Sequence, residues 1–370
     1  MKATYALSAA LLLLALAPAG VRAEDPAAFP VSLGGAVQFL YQDVERDSDA
    51  GGAAVERFLT RRVQLALLAK PSAKATIAFT VDFINGDAID PAAVAGQGLV
   101  REAWLGLELY PGIEVQAGSF RPPWTLTMAQ PVSEEIFVRY PLIVGNNAFT
   151  PWRQTGIMVS GHGGDYLTLA LGLFNGLDAA NQFQDTNTDK DGMVTVAIEA
   201  YPGLRVHLGY WGGRTELPEV TVAPGESATL PFGIVVTNPG TTPIVAGGGS
   251  ATNTNTWLGV ELDRAGFNLG AESLWNRLDT NSATTNLHGY QFELAYSWRR
   301  LQPVLRYEFF DPNTANTGAA ATDELEWTTI GLNLDLSPQC RLMANYIFKT
   351  ERQANQIDND ELLVQVSLWY

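Results

Sequence analysis

The sequence is poor in cysteine, in positive charge and in long apolar runs, and each shortage excludes a class of protein. Cys340 is the only cysteine in 370 residues, which excludes a disulfide framework and a lipid-carrying cysteine behind the N-terminus. Lysine and arginine total 23 against 39 acidic residues, and the net charge of −16 argues against nucleic acid as a partner. Beyond residue 23, no apolar run reaches the roughly 18 residues of a membrane-spanning helix.

What remains is the composition of a folded β protein. Aromatic residues make up 10% of the chain and β-branched residues are plentiful, so the acidity does not indicate disorder. Two classes remain open: a large secreted β protein, such as a sandwich or a lectin, and an outer-membrane β-barrel.

The N-terminus predicts export. Lys2 precedes an apolar stretch that ends in small residues before Glu24, a pattern typical of a secretory signal peptide cleaved after Ala23. We therefore expect a signal peptide at 1–23 and a single domain at 24–370.

Segments of alternating polarity, separated by glycine, proline, asparagine and aspartate, predict sixteen strands. Most are close to the 9–11 residues that a tilted membrane strand needs. The predicted strands are 31–42, 57–70, 75–84, 99–110, 115–121, 153–162, 166–175, 191–201, 205–212, 257–264, 268–278, 288–298, 302–310, 325–336, 341–351 and 361–370.

The connections between these strands alternate between tight turns and long polar loops. A tight PSAK turn follows the second strand, whereas the long ERDSDAGGAAVE loop follows the first. This alternation predicts an all-β fold, a 16-stranded antiparallel transmembrane barrel with short periplasmic turns and long extracellular loops. A soluble sandwich has no reason to separate its loops by length.

Aromatic residues at the strand ends agree with a barrel, because they predict girdles at two membrane interfaces. The row expected at the long-loop end is Tyr41, Phe83, Phe120, Phe174, Tyr210, Trp275, Phe309 and Phe348. Alternate strand residues form an apolar face for lipid and a polar face for a water-filled lumen.

Four segments resemble the phosphate-selective porin O and P family in their order and spacing. They are FLTRRVQLAL (58–67), REAWLGLEL (101–109), GSFRPPWTL (118–126) and GLFNG (172–176). The resemblance implies a homotrimeric diffusion channel whose third extracellular loop, residues 122–152, folds inward and narrows the pore.

The charged residues predict where permeation is controlled, and they depart from the pattern that the family's name implies. We expect pore-lining or constriction roles for Arg62, Arg121, Glu134, Glu135, Arg139, Arg306, Glu308 and Lys349. The family's phosphate-specific members resemble one another in a ladder of arginines and a cluster of lysines. By parity, Lys349 is the one lysine on the lumen face, opposite many carboxylates that favour cations. No clear ladder is predicted.

Two further patterns point to chemistry only weakly. The histidines at 162, 207 and 288 stand in no recognisable nucleophile motif, so we expect no enzyme activity and no cofactor. Asn187, Asp189 and Asp191 occupy the first ligand positions of a calcium loop, but Ile198 stands where the bidentate carboxylate belongs. The alternative is an ordinary acidic turn.

The sequence thus predicts a passive outer-membrane channel for small hydrophilic solutes or ions. Two alternatives stay open: an anion- or phosphate-selective porin, and a barrel that displays long segments such as 213–256 for adhesion or envelope structure. Expected partners are outer-membrane lipid, lipopolysaccharide and the barrel-assembly machinery. The last strand, 361–370, is expected to close the barrel against the first, with Tyr370 in the periplasmic girdle.

Overall fold

Sixteen antiparallel strands close into one barrel in the computed structural model. The structure describes residues 30–45, 55–84, 99–145, 153–176, 189–216, 220–224, 227–229, 235–237, 244–246, 249–280, 284–315, 324–352 and 358–370. The barrel strands follow chain order, and the last pairs with the first.

The barrel strands and four short strands outside the barrel are numbered together in chain order. The barrel consists of β1 (Val31–Val44), β2 (Val55–Ser72), β3 (Ala75–Asp82), β4 (Val100–Tyr110), β5 (Ile113–Phe120), β6 (Gln154–Gly163), β7 (Leu167–Phe174), β8 (Asp191–Tyr201), β9 (Leu204–Glu216), β14 (Ser250–Arg264), β15 (Phe267–Asp279), β16 (Thr284–Tyr296), β17 (Leu301–Asp311), β18 (Leu325–Ser337), β19 (Cys340–Glu351) and β20 (Glu361–Trp369). The short strands are β10 (Val220–Val222), β11 (Ser227–Thr229), β12 (Val235–Thr237) and β13 (Ile244–Ala246).

Connection lengths separate the two ends of the barrel, as the sequence predicts. At one end, two to four residues join each pair of consecutive strands. The other end carries the long connections, including 121–153 and 217–249. All sixteen predicted strands overlap an observed barrel strand, so the predicted fold class is confirmed.

Strand boundaries differ from the prediction in β14 and in the pair β15 and β16. The strand predicted at 257–264 begins earlier, at Ser250, because Thr252, Thr254 and Thr256 alternate with asparagines that point inward. Threonine favours strands, and the buried Asn276 amide donates to Asn255 at 2.8 Å. Likewise, β15 and β16 extend to Asp279 and Thr284, which leaves a short connection where a longer loop was expected.

The C-terminal strand closes the barrel. Nine residue pairs join β20 to β1, and Gly35 and Tyr370 exchange two backbone hydrogen bonds of 3.2 Å at the end of this seam. Both edges of β20 are paired because β19 lies on its other side. The expected closure of the barrel by its last strand is confirmed.

Short helical turns interrupt the connection between β5 and β6. They are α1 (Leu126–Ala129), a 3-10 turn (Val132–Glu134) and α2 (Leu142–Gly145). The hydroxyl of Thr125 caps α1 by accepting from the Met128 amide at 3.2 Å. Among the described residues, each helix is far shorter than the length needed to cross a membrane.

The segment predicted as a long loop at 213–256 contains more strand than expected. Its two ends belong to β9 and β14, and between them β10 pairs with β13 while β11 pairs with β12. Both small sheets are antiparallel and lie outside the barrel sheet.

Candidate functional site

The described part of the connection between β5 and β6, residues 121–145, lies inside the barrel, and lumen-facing side chains bind its backbone. The Asn345 amide oxygen accepts from the Val138 N–H at 2.7 Å, and a Glu308 carboxylate oxygen accepts from the Leu142 N–H at 2.7 Å. Buried backbone groups need such partners, so these bonds fix the loop across the lumen. Further bonds to the loop backbone come from Arg61, Glu272, Arg306, Asn333 and Arg341.

Apolar packing anchors the first part of this loop. Trp124 is fully buried between Trp211 of β9 and Trp257 of β14, with ring centroids 5.8 and 5.9 Å away. Phe120 and Phe174, which we expected in the aromatic girdle, instead point inward into the same cluster. The upper lumen is therefore partly a packed core, because inward apolar side chains there are covered by the loop.

β-Bulges turn two arginines inward that simple alternation assigns to the outer face. The register of β1 against β2 skips Arg61, and that of β3 against β4 skips Arg101. A bulge places two residues opposite one, so Arg61 and Arg62 both lie inside and both stack on the Tyr140 ring. The sequence analysis missed Arg61 and Arg101 because a one-residue insertion in a strand leaves no signal in the polarity pattern.

Opposite charges compensate one another along the loop and the wall. Arg62 lies 2.7 Å from Glu135, and Arg306 lies 2.9 Å from Glu308. The fully buried carboxylate of Glu361 is shared by two cations, and the sequence analysis missed its role. Further pairs are Arg101–Asp82, Arg121–Glu102, Arg153–Glu102, Arg139–Glu361, Lys349–Glu361, Arg306–Glu293 and Arg341–Asp335.

The structure thus places the eight predicted pore residues inside the barrel, but in separate groups. Arg62 and Glu135 meet where the loop approaches β2. Arg139 and Lys349 contact Glu361, and the Trp327 ring lies within 5.5 Å of both cations. The other members lie at separate points of the lumen: Arg121 beside Glu102, Glu134 at a second cavity, and Arg306 with Glu308 on β17.

Two cavities of opposite charge flank the loop segment 121–134. The basic compartment has a volume of about 280 Å³ and is lined by Arg62, Arg101, Arg121, Arg153, Asp82 and Glu102 among others. The acidic compartment has a volume of about 710 Å³, and its charged lining consists of Glu134, Asp165, Glu199, Glu261 and Arg205, with His162 and His207. The loop segment therefore lies between a cavity whose charged lining is mainly arginine and a cavity whose charged lining is mainly carboxylate.

Two of the residues predicted as calcium ligands lie in different surroundings, Asp191 buried and Asp189 exposed. Asp191 is buried and accepts a 2.7 Å hydrogen bond from the Trp211 indole, whereas Asp189 lies 3.9 Å from Arg214. Asn187 lies outside the described residues. Within the part of the chain that the structure describes, no three acidic, histidine or cysteine side chains come together as metal ligands. Calcium binding stays a prediction. Asp191 is the least suitable of the three predicted ligands, because its carboxylate is buried and bound to the Trp211 indole.

The three histidines are distributed over the barrel. His162 lies 3.1 Å from the Thr168 hydroxyl near a tight turn, and His207 lies 3.2 Å from Glu261 in the acidic compartment. His288 stacks on Trp275, which is exposed on the outer wall. His162 and His207 both line the acidic compartment, whereas His288 lies apart, so the three histidines do not form one cluster.

A closed barrel of sixteen strands with a loop folded into its lumen defines a porin, a channel of the bacterial outer membrane. The sequence model described as phosphate-selective porin O and P matches residues 31–370. The chain belongs to this family. No match was found among the curated proteins.

Solved structures share the fold at low sequence identity. A loop-deletion mutant of OmpT from Vibrio cholerae has a TM-score of 0.66 at 14% identity, covering 93% of this chain and 100% of its own. In vitro folded Vibrio cholerae OmpT, described as a trimer form, has a TM-score of 0.63 at 13% identity, with coverage of 93% and 100%. An anion-selective porin from Comamonas acidovorans has a TM-score of 0.63 at 15% identity, with coverage of 93% and 99%.

Proposed function

We propose that this porin is a weakly selective pore whose solutes are sieved by the loop at 121–153. The observation that carries the proposal is charge compensation, because six basic side chains around the loop form ion pairs with wall or loop carboxylates: Arg62, Arg101, Arg121, Arg139, Arg306 and Lys349. A phosphate-selective ladder needs a succession of cations that remain available to the permeating anion. Paired charges leave size as the main criterion for passage.

The acidic loops add a modest preference for cations. The chain carries a net charge of −16, and the acidic compartment lines part of the lumen wall. Carboxylates at a mouth raise the local concentration of cations and lower that of anions. The proposed function involves no reaction on the solute and no cofactor.

Planar-bilayer recording of the purified protein tests this proposal. In a KCl gradient, the reversal potential should lie close to zero with a small displacement toward cation selectivity, and neutral sugars below a cut-off size should permeate liposomes. A strongly anion-selective reversal potential would contradict the proposal. A protein that never opens a pore would instead favour the display of loops for adhesion or envelope structure.

Anion selectivity is a second candidate, and the convergence of four arginines favours it. Arg62, Arg101, Arg121 and Arg153 line one compartment with only two carboxylates, Asp82 and Glu102, among its lining residues. Under this reading, replacing Arg121 and Arg153 by glutamine should abolish phosphate flux while leaving sugar flux intact. Unchanged phosphate flux would remove the candidate.

We also propose how the pore is assembled. The trimer form of a structural neighbour supports a homotrimer. The pattern of the N-terminal residues supports the removal of residues 1–23 as a signal peptide. We further propose that the barrel-assembly machinery inserts the chain and that lipopolysaccharide surrounds it. Chemical crosslinking in native membranes would test the trimer, because a protomer that never yields a threefold product would contradict it.

A further inference from the structure

An apolar groove lies on the outer wall of β14 to β17, close to the end of the barrel where tight turns join the strands. It has a volume of about 400 Å³ and is lined almost entirely by apolar side chains. Ala271 stands between the larger Val260 and Phe292 in one row of paired residues, and its small side chain leaves a depression. The neighbouring row consists of leucines on five adjacent strands: Leu204, Leu262, Leu269, Leu294 and Leu305. Glu293 also belongs to the lining, but its carboxylate lies 3.7 Å from Arg306 in the lumen.

Exposed aromatic side chains follow at the strand ends beside the groove. Phe267 of β15 pairs with Tyr296 of β16 in the row next to the leucines, and their ring centroids are 4.5 Å apart. Tyr201 and Trp298 are exposed at the two neighbouring tight turns. Rows of aromatic side chains at strand ends mark the membrane–water interface. This end of the groove therefore lies at the height of the lipid head groups.

Three arginines lie at the tight turns next to the groove. Arg264 ends β14, and Arg299 and Arg300 form the turn between β16 and β17. The midpoints of these two turns are two strand spacings apart, or about 10 Å. All three arginines are exposed, and in the part of the chain that the structure describes no carboxylate forms an ion pair with them. The edge of the groove thus carries positive charge at two separate points.

Aromatic rings hold two of these arginines in place. The guanidinium carbon of Arg264 lies 5.0 Å from the Tyr201 ring centroid, and that of Arg299 lies 5.4 Å from the Trp298 ring centroid. A cation–π contact attracts a guanidinium without neutralising its charge. Arg299 also has a φ of 58°, in the left-handed region where glycine costs less. The turn therefore presents a cation at a position that backbone geometry alone would not favour.

The carboxylates near these arginines face the lumen or are paired. Glu199 and Glu261 line the acidic compartment inside the barrel, and strand alternation places Asp263 on the same side of the wall. The Asp335 carboxylate lies 2.7 Å from Arg341. The positive charge at the two turns is therefore available to a ligand on the outer wall.

We propose that this groove binds an anionic phospholipid that carries two phosphate groups joined by a glycerol, as in cardiolipin. Short turns lie on the periplasmic side of outer-membrane barrels, so the lipid belongs to the inner leaflet. One phosphate binds Arg264 and the other binds Arg299 and Arg300, through charge-assisted hydrogen bonds. The acyl chains lie side by side along the leucine row, which spans about 19 Å across the strands, and one of them fills the depression at Ala271. Basic residues beside an apolar membrane surface recognise such head groups.

Native mass spectrometry of the purified barrel with tetraoleoyl cardiolipin tests the proposal. The double variant Arg264→Gln/Arg299→Gln should weaken binding at least about tenfold, because a charge-assisted contact is lost at each turn. Ala271→Phe should weaken binding at least about threefold, because the added ring fills the depression. Dioleoyl phosphatidylglycerol, which has one phosphate, should bind the parent at least about fivefold more weakly than cardiolipin does.

Two matched controls make the same changes elsewhere on the barrel. Lys70→Gln/Lys74→Gln removes two exposed cations close to the tight turn between β2 and β3, outside the groove. Ala117→Phe adds the same ring on β5, where Ala117 is the fifth residue of its strand, as Ala271 is of β15. Both controls should bind cardiolipin within about twofold of the parent, and heat-modifiable mobility on gels should verify folding of every variant.

Three results would overturn the proposal. The first is cardiolipin binding in the arginine and Ala271→Phe variants that equals binding in the parent. The second is equal affinity for phosphatidylglycerol and cardiolipin, or full displacement by inorganic phosphate at the concentration of the lipid, because the spacing of the turns or the groove would then contribute nothing. The third is an Ala271→Phe variant that changes oligomeric mass but not cardiolipin binding, because the groove would then contact a second copy.

Discussion

The basic and acidic compartments both take charged side chains from the barrel wall and from the loop, but they differ in how the chain turns those side chains inward. In the basic compartment, a bulge turns Arg101 inward and the loop brings Arg121 and Arg153 to the same wall. In the acidic compartment, regular alternation places Glu199 on β8 and Glu261 on β14. Glu199 and Glu261 thus follow from plain strand periodicity, whereas Arg101, Arg121 and Arg153 reach their compartment through a bulge and the loop.

This difference shows why net charge is a poor guide to the pore. The chain as a whole is strongly acidic, but the loop segment 121–134 isolates a small region where arginines outnumber carboxylates. Fixed charges act over about 8 Å at physiological ionic strength, so a solute responds to the nearest wall and not to the total. Variants that alter the loop or one wall therefore distinguish the two compartments.

The largest effect is expected from Trp124→Ala, which removes the anchor of the segment between the compartments. A buried tryptophan truncated to alanine costs about 3–5 kcal/mol of packing free energy, and Trp124 is fully buried against Trp211 and Trp257. The segment should detach and the two compartments should merge. Single-channel recording should show a higher and noisier conductance than in the parent.

Trp298→Ala is the matched control for this variant. Trp298 is 55% exposed beside a tight turn, so its loss should leave conductance unchanged. Equal conductance in Trp124→Ala and the parent would mean that the segment does not separate two paths.

The next effect is a pair of opposite shifts in ion selectivity. Arg121→Gln/Arg153→Gln removes two positive charges from the basic compartment, and Glu199→Gln/Glu261→Gln removes two negative charges from the acidic one. A unit charge 4 Å from an ion in water is worth about 1 kcal/mol, or about fivefold for that ion, so removing two charges should change the K⁺/Cl⁻ permeability ratio by at least about fivefold. Reversal potentials should move toward cations in the first variant and toward anions in the second. Shifts in the same direction would show that permeating ions do not contact both walls.

A smaller effect is expected from Arg61→Ala, which tests how the bulge supports the loop. Arg61 is fully buried and donates to the Val138 carbonyl and, at 3.0 Å, to the Gln365 side chain. Leaving these acceptors unsatisfied should cost about 1–3 kcal/mol. Thermal unfolding in detergent should show a lower Tm, whereas the exposed Arg264→Ala should unfold as the parent does. An unchanged Tm in Arg61→Ala would mean that water replaces the guanidinium.

The sequence analysis predicted the barrel well because strand periodicity, turn residues and loop lengths are local signals. The same parity rule places Arg62, Arg306 and Lys349 on the lumen side, as the structure does. It failed for Arg61 and Arg101, because a bulge changes parity without changing composition. It also failed for Phe120 and Phe174, since an inward aromatic packed by a loop has the same sequence pattern as an outward one at a membrane interface.

The paired charges were beyond local analysis for a different reason. Glu361 meets Arg139 only because the loop crosses the lumen and reaches a strand more than 200 positions away in the chain. Contacts of this kind depend on the path of the loop, which no residue spacing encodes. The individual residues could be named as candidates, but their partners could not.

Deleting Tyr370 should have the smallest effect on the ion selectivity that the two compartments produce, although Tyr370 itself lines the basic compartment. The deletion removes the two backbone hydrogen bonds to Gly35 at the seam of the barrel. The amount of folded barrel in outer-membrane fractions should therefore fall, while the ion selectivity of the assembled channels stays that of the parent. Phe58→Ala, which removes an 85% exposed aromatic from the other end of the wall, should assemble normally. A change in ion selectivity after the deletion would show that the seam is part of the permeation path, because Tyr370 lines the basic compartment at the seam.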